Sequence, residues 1–381
     1  MFMCFTCWFI VLVRKTWDLQ NGSIRVFYTT LLERSAKFRI PNHTTLRSDV
    51  TRSPDNTHDV ATGSEFQAFH LGPGKNGSAI DLSEFKVNMP KYAESDKKHR
   101  FNTFISDVIG LRRKLSDMRP AECRTMTYPD NLPPISVVII FRDEWPSIVL
   151  RTVYSVLDMT PDTLLKEIII VDDGSSDAEL KLKVTIHARS LEKVTLITID
   201  KPGGLMLARQ TGIEAVTAEY FVVMDSHMEV AEGWAEPLIH RLVQVPKALL
   251  CSHVGSIDKE NFKFILSSNK PEKKEFENVF PFFHQVTMDQ MFVPYSHEFR
   301  SRRNGSVEPI PFAVQQGMMM AMRTDYFLQL GGFDSGMRIW GSEQIELSVK
   351  VWLCGGRVEM VPCSAVAHMF RYSLLCTTVT S

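Results

Sequence analysis

The fold of this chain is decided by residues 218–227, AEYFVVMDSH, in which an apolar run stops at two potential metal ligands, Asp225 and His227. The run is typical of a strand that is buried on both faces of a sheet. The carboxyl ends of such strands are where open α/β sheets bind nucleotides. An Asp and a His two residues apart share one face of an extended chain, so both can reach one ion. The alternative for these residues alone is a strand end whose Asp caps the next turn and whose His is merely exposed.

Around this run the sequence alternates buried strands with helical patterns. Three more runs are typical of parallel strands: ISVVIIF at 135–141, EIIIVDDG at 167–174 and VTLITI at 194–199. Apolar residues at helical spacing separate them, over 146–157, 178–191 and 203–218. The alternation predicts an α/β fold, with a mainly parallel Rossmann-like sheet and helices on both faces. Later in the chain we expect strands within 247–257, 312–322 and 358–362, and helices over 325–330 and 343–353.

The first hundred residues have a different character. Residues 1–13 carry no charge and precede Arg14 and Lys15, which predicts a signal-anchor or transmembrane segment, although a full span needs about 20 apolar residues. The alternative is a buried strand or helix of the domain. The polar residues 14–100 predict a largely disordered stem. An amphipathic helix is expected within 101–115, and a chain in the secretory pathway is favoured by four Asn-x-Ser/Thr sequences, at Asn21, Asn42, Asn76 and Asn304.

Composition excludes some classes of function. The chain has 381 residues and a formal net charge of -1, so no broad positive field favours nucleic acid as a partner. Seven cysteines are too few for a disulfide scaffold of this length.

A metal at Asp225 and His227 needs a further protein ligand, for which His368 is the candidate. It follows an apolar strand pattern and lies three residues before Arg371. A metal and an arginine together can hold a diphosphate and stabilise its departing charge. The alternative is a structural histidine. Oxygen ligands with some imidazole suit manganese or magnesium.

Two other segments carry polar groups of interest. DDGSS at 172–176 ends a strand, so one carboxylate can accept hydrogen bonds from a base or ribose, although Asp and Ser also favour a helix N-cap. In WGSEQIE at 340–346, Trp340 can stack on a ring and Glu343 can accept bonds from sugar hydroxyls. The alternative is an aromatic cover on the core and a carboxylate favoured by the helix dipole.

In this order, these residues resemble the polypeptide N-acetylgalactosaminyltransferases, which initiate mucin-type O-glycosylation. The resemblance covers about residues 120–371. Its matching stretches are ISVVIIF at 135–141 with Glu144, RTVYSVL at 151–157, EIIIVDD at 167–173, DSH at 225–227 with GW at 233–234, GMRIWGSE at 336–343, WLCGG at 352–356, and PCS at 362–364 with HMFR at 368–371.

The resemblance implies a GT-A glycosyltransferase fold, with a nucleotide-binding half over 101–240 and an acceptor- and sugar-binding half over 241–371. It implies UDP-GalNAc as donor, Ser/Thr-containing protein as acceptor, Mn²⁺ as metal and a luminal domain on the Golgi membrane in single-pass type II orientation. Three sets of residues are implied: metal ligands Asp225, His227 and His368; donor contacts Asp173, Ser226, Trp340 and Arg371; and Glu343 near the transferred sugar. Cys123 and Cys363 match a family disulfide.

The chain also departs from the family pattern. Pro202 replaces an arginine that contacts the donor, Ile140 replaces a frequent threonine, and Gln316 stands in a stretch that is usually Ala-Gly-Gly. Residues 372–381 read as a tail, so no ricin-type lectin domain is expected. The leading hypothesis is a retaining transferase that moves GalNAc from UDP-GalNAc to Ser or Thr, with Glu343 and Arg371 as catalytic residues. The alternatives are a weak or inactive homologue that acts as a binding or regulatory protein, and a GT-A enzyme that uses another UDP-sugar.

Overall fold

The computed structural model describes residues 12–17, 24–29, 72–81, 83, 90–117, 119–266, 279–283, 290–294, 307–337 and 342–371. The chain forms two compact units, residues 1–60 and 61–381. In the first unit, strands β1 (Leu12–Trp17) and β2 (Ile24–Thr29) pair in antiparallel fashion. Of the predicted membrane segment 1–13, only the last two residues are described, and they belong to β1. No helix among the described residues has the length and apolar composition to cross a bilayer.

The second unit is built on a mixed sheet of ten strands. Its first half supplies β3 (Ile135–Phe141), β4 (Leu165–Asp172), β5 (Val194–Thr198), β6 (Tyr220–Asp225) and β7 (Met228–Val230). Its second half supplies β8 (Ala248–Ile257), β9 (Phe264–Ile265), β12 (Ile310–Pro311), β13 (Met319–Arg323) and β14 (Arg357–His368). A separate antiparallel pair consists of β10 (Val279–Phe283) and β11 (Gln290–Pro294).

Helices cover both faces of this sheet. They are α1 (Pro90–His99), α2 (Thr103–Ile109), α3 (Ala121–Thr125), α4 (Pro146–Met159), α5 (Ala178–Ser190), α6 (Leu205–Glu214), α7 (Ala235–Gln244), α8 (Thr324–Gln329) and α9 (Glu343–Leu353). Strand β3 shows why both faces are buried: Val137 and Ile139 belong to one apolar core, whereas Val138 and Ile140 belong to a second. Side chains alternate across a strand, so an uninterrupted apolar run must have a core on each side.

The strand order is β12-β14-β8-β13-β6-β3-β4-β5. Strands β3 to β6 are mutually parallel, and β8 is parallel to β14. Strand β13 runs antiparallel to both β6 and β8, and it therefore joins the two parallel groups with their carboxyl ends at the same edge. The predicted α/β fold with a mainly parallel sheet is confirmed.

Several boundaries differ from the sequence prediction. The helix expected within 101–115 is the shorter α2, because the Asn102 side chain caps its start and Gly110, at φ 76°, ends it. The helix expected over 203–218 is α6, and the strand expected over 312–322 is only β13. Of the segment predicted as a largely disordered stem, 14–100, the structure describes the last four residues of β1, then β2, residues 72–81 and 83, and residues 90–100, which include α1, and the rest lies outside the described residues. Helix α1 is polar, but its Asp96 accepts hydrogen bonds from the backbone and hydroxyl of Thr103, both at 2.7 Å, so it is joined to α2.

Candidate functional site

The pairing of β7 with the end of β14 brings the predicted metal ligands together. Asp225 ends β6, and Met228 lies opposite His368 in the antiparallel β7–β14 pair. The Met369 N–H donates to the carbonyl of His227 at 3.1 Å. As a result, ligand atoms of Asp225, His227 and His368 all lie within 4.8 Å of one another. Asp225 and His368 are 143 positions apart in sequence, and they meet because β6 and β14 end at the same edge of the sheet.

Asp225 and His368 favour the protonation states that a cation requires. Burial raises the pKa of Asp225, but the His368 hydrogen bond and the Arg209, His227 and His368 charges outweigh it and lower that pKa to about 2. Burial lowers the pKa of His368 more than neighbouring Asp225 raises it, which favours the neutral imidazole. His368 Nε2 lies 3.4 Å from Asp225 Oδ2, and its buried Nδ1 has no hydrogen-bond partner among the described residues. One carboxylate and two imidazoles form a donor set for a divalent transition-metal ion, and Mn²⁺ is among the ions that these residues fit.

Glu144 lies between His227 and Arg371 at the same edge. Its Oε2 is 3.3 Å from His227 Nδ1 and 2.5 Å from Arg371 Nη2. Burial raises the pKa of Glu144, but the Arg371 and His227 charges outweigh it and lower the pKa to about 2. The Arg371 guanidinium lies 4.8 Å from the centre of the Phe101 ring, within reach of a cation–π interaction. Arg371 therefore lies beside Glu144 and the predicted metal ligand His227, and the sequence analysis assigned no role to Glu144.

Arg209 connects the metal cluster to Glu343. Its Nη1 donates to Glu343 Oε1 at 3.0 Å, and its Nη2 donates to Asp225 Oδ1 at 3.2 Å and to the Gly317 carbonyl at 2.6 Å. The side chains of Arg209 and Glu343 are only 3% and 1% exposed. The structure thus places Glu343 near the predicted metal ligands through a residue that the sequence analysis missed. The sequence feature that could have identified Arg209 is its position as an arginine among apolar residues in a helix beside the sheet.

Asp173 holds a loop in place. Its two carboxylate oxygens accept hydrogen bonds from Gly203 N at 2.7 Å and Gly204 N at 3.0 Å. Gly174, at φ 67°, lies so close to Pro202 that a Cβ on it would be 2.7 Å from the Pro202 nitrogen. The segment that carries the Pro202 substitution is therefore fixed against the end of β4. Among the described residues, both Asp173 oxygens have backbone donors, and a donor contact by Asp173 stays a prediction.

The other predicted residues are placed as follows. Ser226 is buried, and its carbonyl accepts a hydrogen bond from the Thr152 hydroxyl at 2.8 Å. Trp340 lies outside the described residues. Cys123 and Cys363 are joined by a disulfide with an S–S distance of 2.04 Å, which ties α3 to β14.

Comparison with protein families agrees with this geometry. The sequence profile described as Glycosyl transferase family 2 matches residues 136–328, which is just over half of the chain. The chain belongs to glycosyl transferase family 2. A second profile, described as N-terminal domain of galactosyltransferase, matches residues 308–373 of the chain. The two profiles together cover Asp225, His227 and His368, and also Glu144 and Arg371.

Individual relatives confirm the resemblance found in the sequence. The chain is 36% identical over 302 residues to polypeptide N-acetylgalactosaminyltransferase 5 of Caenorhabditis elegans, covering 78% of this chain and 47% of the relative. It is 38% identical over 298 residues to polypeptide N-acetylgalactosaminyltransferase 12 of Mus musculus, covering 78% and 50%. The chain thus spans about half the length of these relatives.

A solved structure confirms the GT-A fold. The crystal structure of GalNAc-T7 with UDP, GalNAc and Mn²⁺ superposes with a TM-score of 0.71 at 29% sequence identity, covering 84% of this chain and 57% of that chain.

Proposed function

We propose that this chain transfers GalNAc from UDP-GalNAc to Ser or Thr of proteins, with retention of the anomeric configuration and with Mn²⁺ as cofactor. The observation that carries the proposal is the convergence of Asp225, His227 and His368 beside Arg371 at one edge of the sheet. Similarity to polypeptide N-acetylgalactosaminyltransferases and to a structure that contains UDP, GalNAc and Mn²⁺ supports it.

Each part of the site has a distinct task in this mechanism. Asp225, His227 and His368 would hold Mn²⁺, which when bound supplies positive charge against the diphosphate. Arg371 adds a cation that stabilises the leaving diphosphate as the bond to the sugar breaks. Glu343 accepts hydrogen bonds from the sugar. Ser226 and Trp340 are proposed as further donor contacts.

The route is proposed to be same-face transfer without a covalent glycosyl-enzyme. Glu343 is held by Arg209 at 3.0 Å, so its negative charge is already compensated, which makes it a poor nucleophile. The acceptor hydroxyl is instead placed beside the leaving phosphate, which takes its proton. Positioning then contributes much of the rate.

We also propose a Golgi location, with the catalytic unit in the lumen and the chain attached to the membrane in single-pass type II orientation. The Cys123–Cys363 disulfide supports this proposal because such bonds persist in oxidising compartments. Fractionation of cells that express the tagged chain, with protease protection of the catalytic unit, tests it.

A second candidate function is binding without transfer. It is favoured by Pro202, which replaces a donor-contacting arginine of the family pattern and packs against Gly174, and by the backbone bonds that occupy Asp173. A third is transfer of another sugar from UDP. Both alternatives keep Asp225, His227 and His368 as metal ligands. They differ in whether a sugar is transferred and in which sugar it is.

One assay distinguishes the three functions. We expect Mn²⁺-dependent transfer from UDP-GalNAc to a panel of Ser/Thr peptides, with an α-linked product. His227→Ala should abolish it, whereas His240→Ala, which removes a partly exposed histidine of α7, should not. Binding of UDP and Mn²⁺ without transfer to any peptide would favour the second function, and faster turnover of a different UDP-sugar the third.

A further inference from the structure

Among the described residues, Glu144 is the one carboxylate that contacts both His227, a predicted metal ligand, and Arg371, the arginine predicted to bind the diphosphate. We infer that Glu144 is a positioning residue, whose carboxylate fixes the ring of His227 and the guanidinium of Arg371 in the orientations that bind a metal and a nucleoside diphosphate. The inference rests on the proposed function and deepens it.

The contacts of Glu144 join three separate chain segments. Oε2 reaches His227 from the β6–β7 connection and Arg371 from the end of β14, at 3.3 Å and 2.5 Å. Oε1 accepts a hydrogen bond from the Trp145 N–H at 2.9 Å and lies 4.0 Å from His99 Nδ1. The side chain is only 6% exposed. Both oxygens are thus engaged from defined directions, and the carboxylate has little freedom to turn.

His227 Nδ1 is buried and makes no hydrogen bond within the described residues, and Glu144 Oε2, at 3.3 Å, is the one carboxylate oxygen there that lies within 4 Å of it. A carboxylate beside Nδ1 favours the tautomer with the proton on Nδ1, which leaves the lone pair on Nε2. Metal-binding histidines commonly donate their other ring N–H to a carboxylate, and such a partner also raises the basicity of the ligand. Loss of Glu144 should therefore weaken metal binding although Glu144 itself is not one of the three clustered ligands.

The contact with Arg371 sets where its charge is placed. The guanidinium is bound by the Glu144 carboxylate and lies against the Phe101 ring at 4.8 Å. The buried Nε of Arg371 has no hydrogen-bond partner among the described residues. An arginine anchored at one nitrogen keeps other donors for a ligand, and anchoring reduces the rotamer entropy that ligand binding must overcome.

Another buried carboxylate provides a matched control. Glu359 is 6% exposed and accepts two hydrogen bonds from Arg241, at 2.7 and 2.8 Å. It lies nine residues before His368 on β14, which is roughly 30 Å along an extended strand. Glu359→Gln therefore removes a buried ion pair of similar kind without touching the metal cluster.

The test compares Glu144→Gln and Glu359→Gln in the full chain. Affinities for Mn²⁺ alone and for UDP with Mn²⁺ are measured by calorimetry, and the His227 ring nitrogens by ¹⁵N NMR without metal. We expect Glu144→Gln to weaken Mn²⁺ binding by about 10- to 100-fold, to weaken UDP binding as well and to shift the His227 tautomer. Glu359→Gln should lower only the melting temperature.

Two outcomes would overturn the inference. One is a folded Glu144→Gln protein with unchanged Mn²⁺ affinity and an unchanged His227 ring; the other is an equal loss of affinity in Glu359→Gln. If Glu144→Gln does not fold, Glu144→Asp is used, because it keeps the charge but shortens the side chain by one methylene. This variant should also weaken Mn²⁺ binding. Unchanged affinity would again count against the inference. If the wild-type chain binds no Mn²⁺, the proposed function fails, while the His227 tautomer still tests Glu144.

Discussion

At the scale of single residues, the buried charges of the site depend on Arg209. This side chain, 3% exposed, contacts two carboxylates, those of Asp225 and Glu343. Arg209→Met takes away a buried cation next to Glu343, so we expect the free energy of unfolding to fall by about 3–5 kcal/mol. Urea denaturation measures the loss. Arg323→Met, which breaks a pair with Asp325 that is 30% exposed on the arginine side, should cost no more than about 1 kcal/mol.

The double variant Arg209→Met/Glu343→Gln tests whether the loss arises from an uncompensated charge. Neutralising Glu343 should restore part of the stability that Arg209→Met removes. Strictly additive losses in the double variant would show that the two side chains act independently.

The same residues show what could be read from the sequence. Asp225 and His227 were identifiable because an apolar strand ends at them, and His368 because a second strand precedes it. Arg209 and Glu144 were not, since their roles come from contacts with residues 134 and 227 positions away. A helix pattern shows that Arg209 is an unusual residue for a packed face, but it does not show which carboxylates it meets.

At the scale of elements, the long apolar runs were predicted well and the irregular second half less so. Strands β3 and β6, and β4 from Ile168 onward, are buried on both faces, and their sequences are therefore near-continuous apolar runs. Strand β13 pairs with both β6 and β8 in antiparallel fashion, and nothing in MMAMR indicates that direction. Helix ends were missed where a single residue decides them, as Gly110 does for α2.

Helix α6 carries Arg209, and Gly212 sets how closely the helix packs on the sheet. A Cβ on Gly212 would be 2.3 Å from Val138 Cγ1 of β3. We expect Gly212→Ala to lower the free energy of unfolding by about 1–3 kcal/mol through overpacking and to weaken Mn²⁺ binding, because Arg209 moves with the helix. Urea denaturation and calorimetry measure the two effects.

The compensating variant Gly212→Ala/Val138→Ala checks the cause. Val138→Ala removes the methyl groups that clash, so the double variant should recover part of the stability lost in Gly212→Ala. A double variant less stable than the sum of both losses would contradict the proposed clash.

At the scale of the whole molecule, the Cys123–Cys363 disulfide closes a long stretch of the chain. The two cysteines are 240 residues apart in sequence and join α3 to β14, the strand that ends at His368. Cys123→Ala/Cys363→Ala should lower the free energy of unfolding by about 2–4 kcal/mol, since the unfolded chain regains freedom. Cys354→Ala, which removes an exposed cysteine that is not part of this disulfide, serves as the control and should lower the free energy of unfolding much less. Equal melting temperatures for the two variants would contradict the prediction.

The stability of the whole chain should also depend on pH through the buried His253 of β8. Burial lowers the pKa of His253 from its ordinary value of 6.5 to about 4. Between these two values the unfolded chain holds a proton that the folded chain lacks, so the free energy of unfolding rises with pH in that window. The slope from this one group reaches about 1.4 kcal/mol per pH unit and vanishes above the unfolded-state pKa.

The carboxylates of the site affect stability at lower pH than His253 does, so the two contributions can be measured separately. The pKa values of Glu144 and Asp225 lie near 2, against ordinary values of 4.5 and 3.8, so their stabilisation is complete above pH 4.5 and is lost as the pH falls through about 2. Urea denaturation of the wild-type chain and of His253→Gln at several pH values from 4.5 to 7 tests the assignment. We expect a shallower rise with pH in the variant. A stability difference between the two proteins that is the same at every pH would show that His253 contributes through packing and not through its proton.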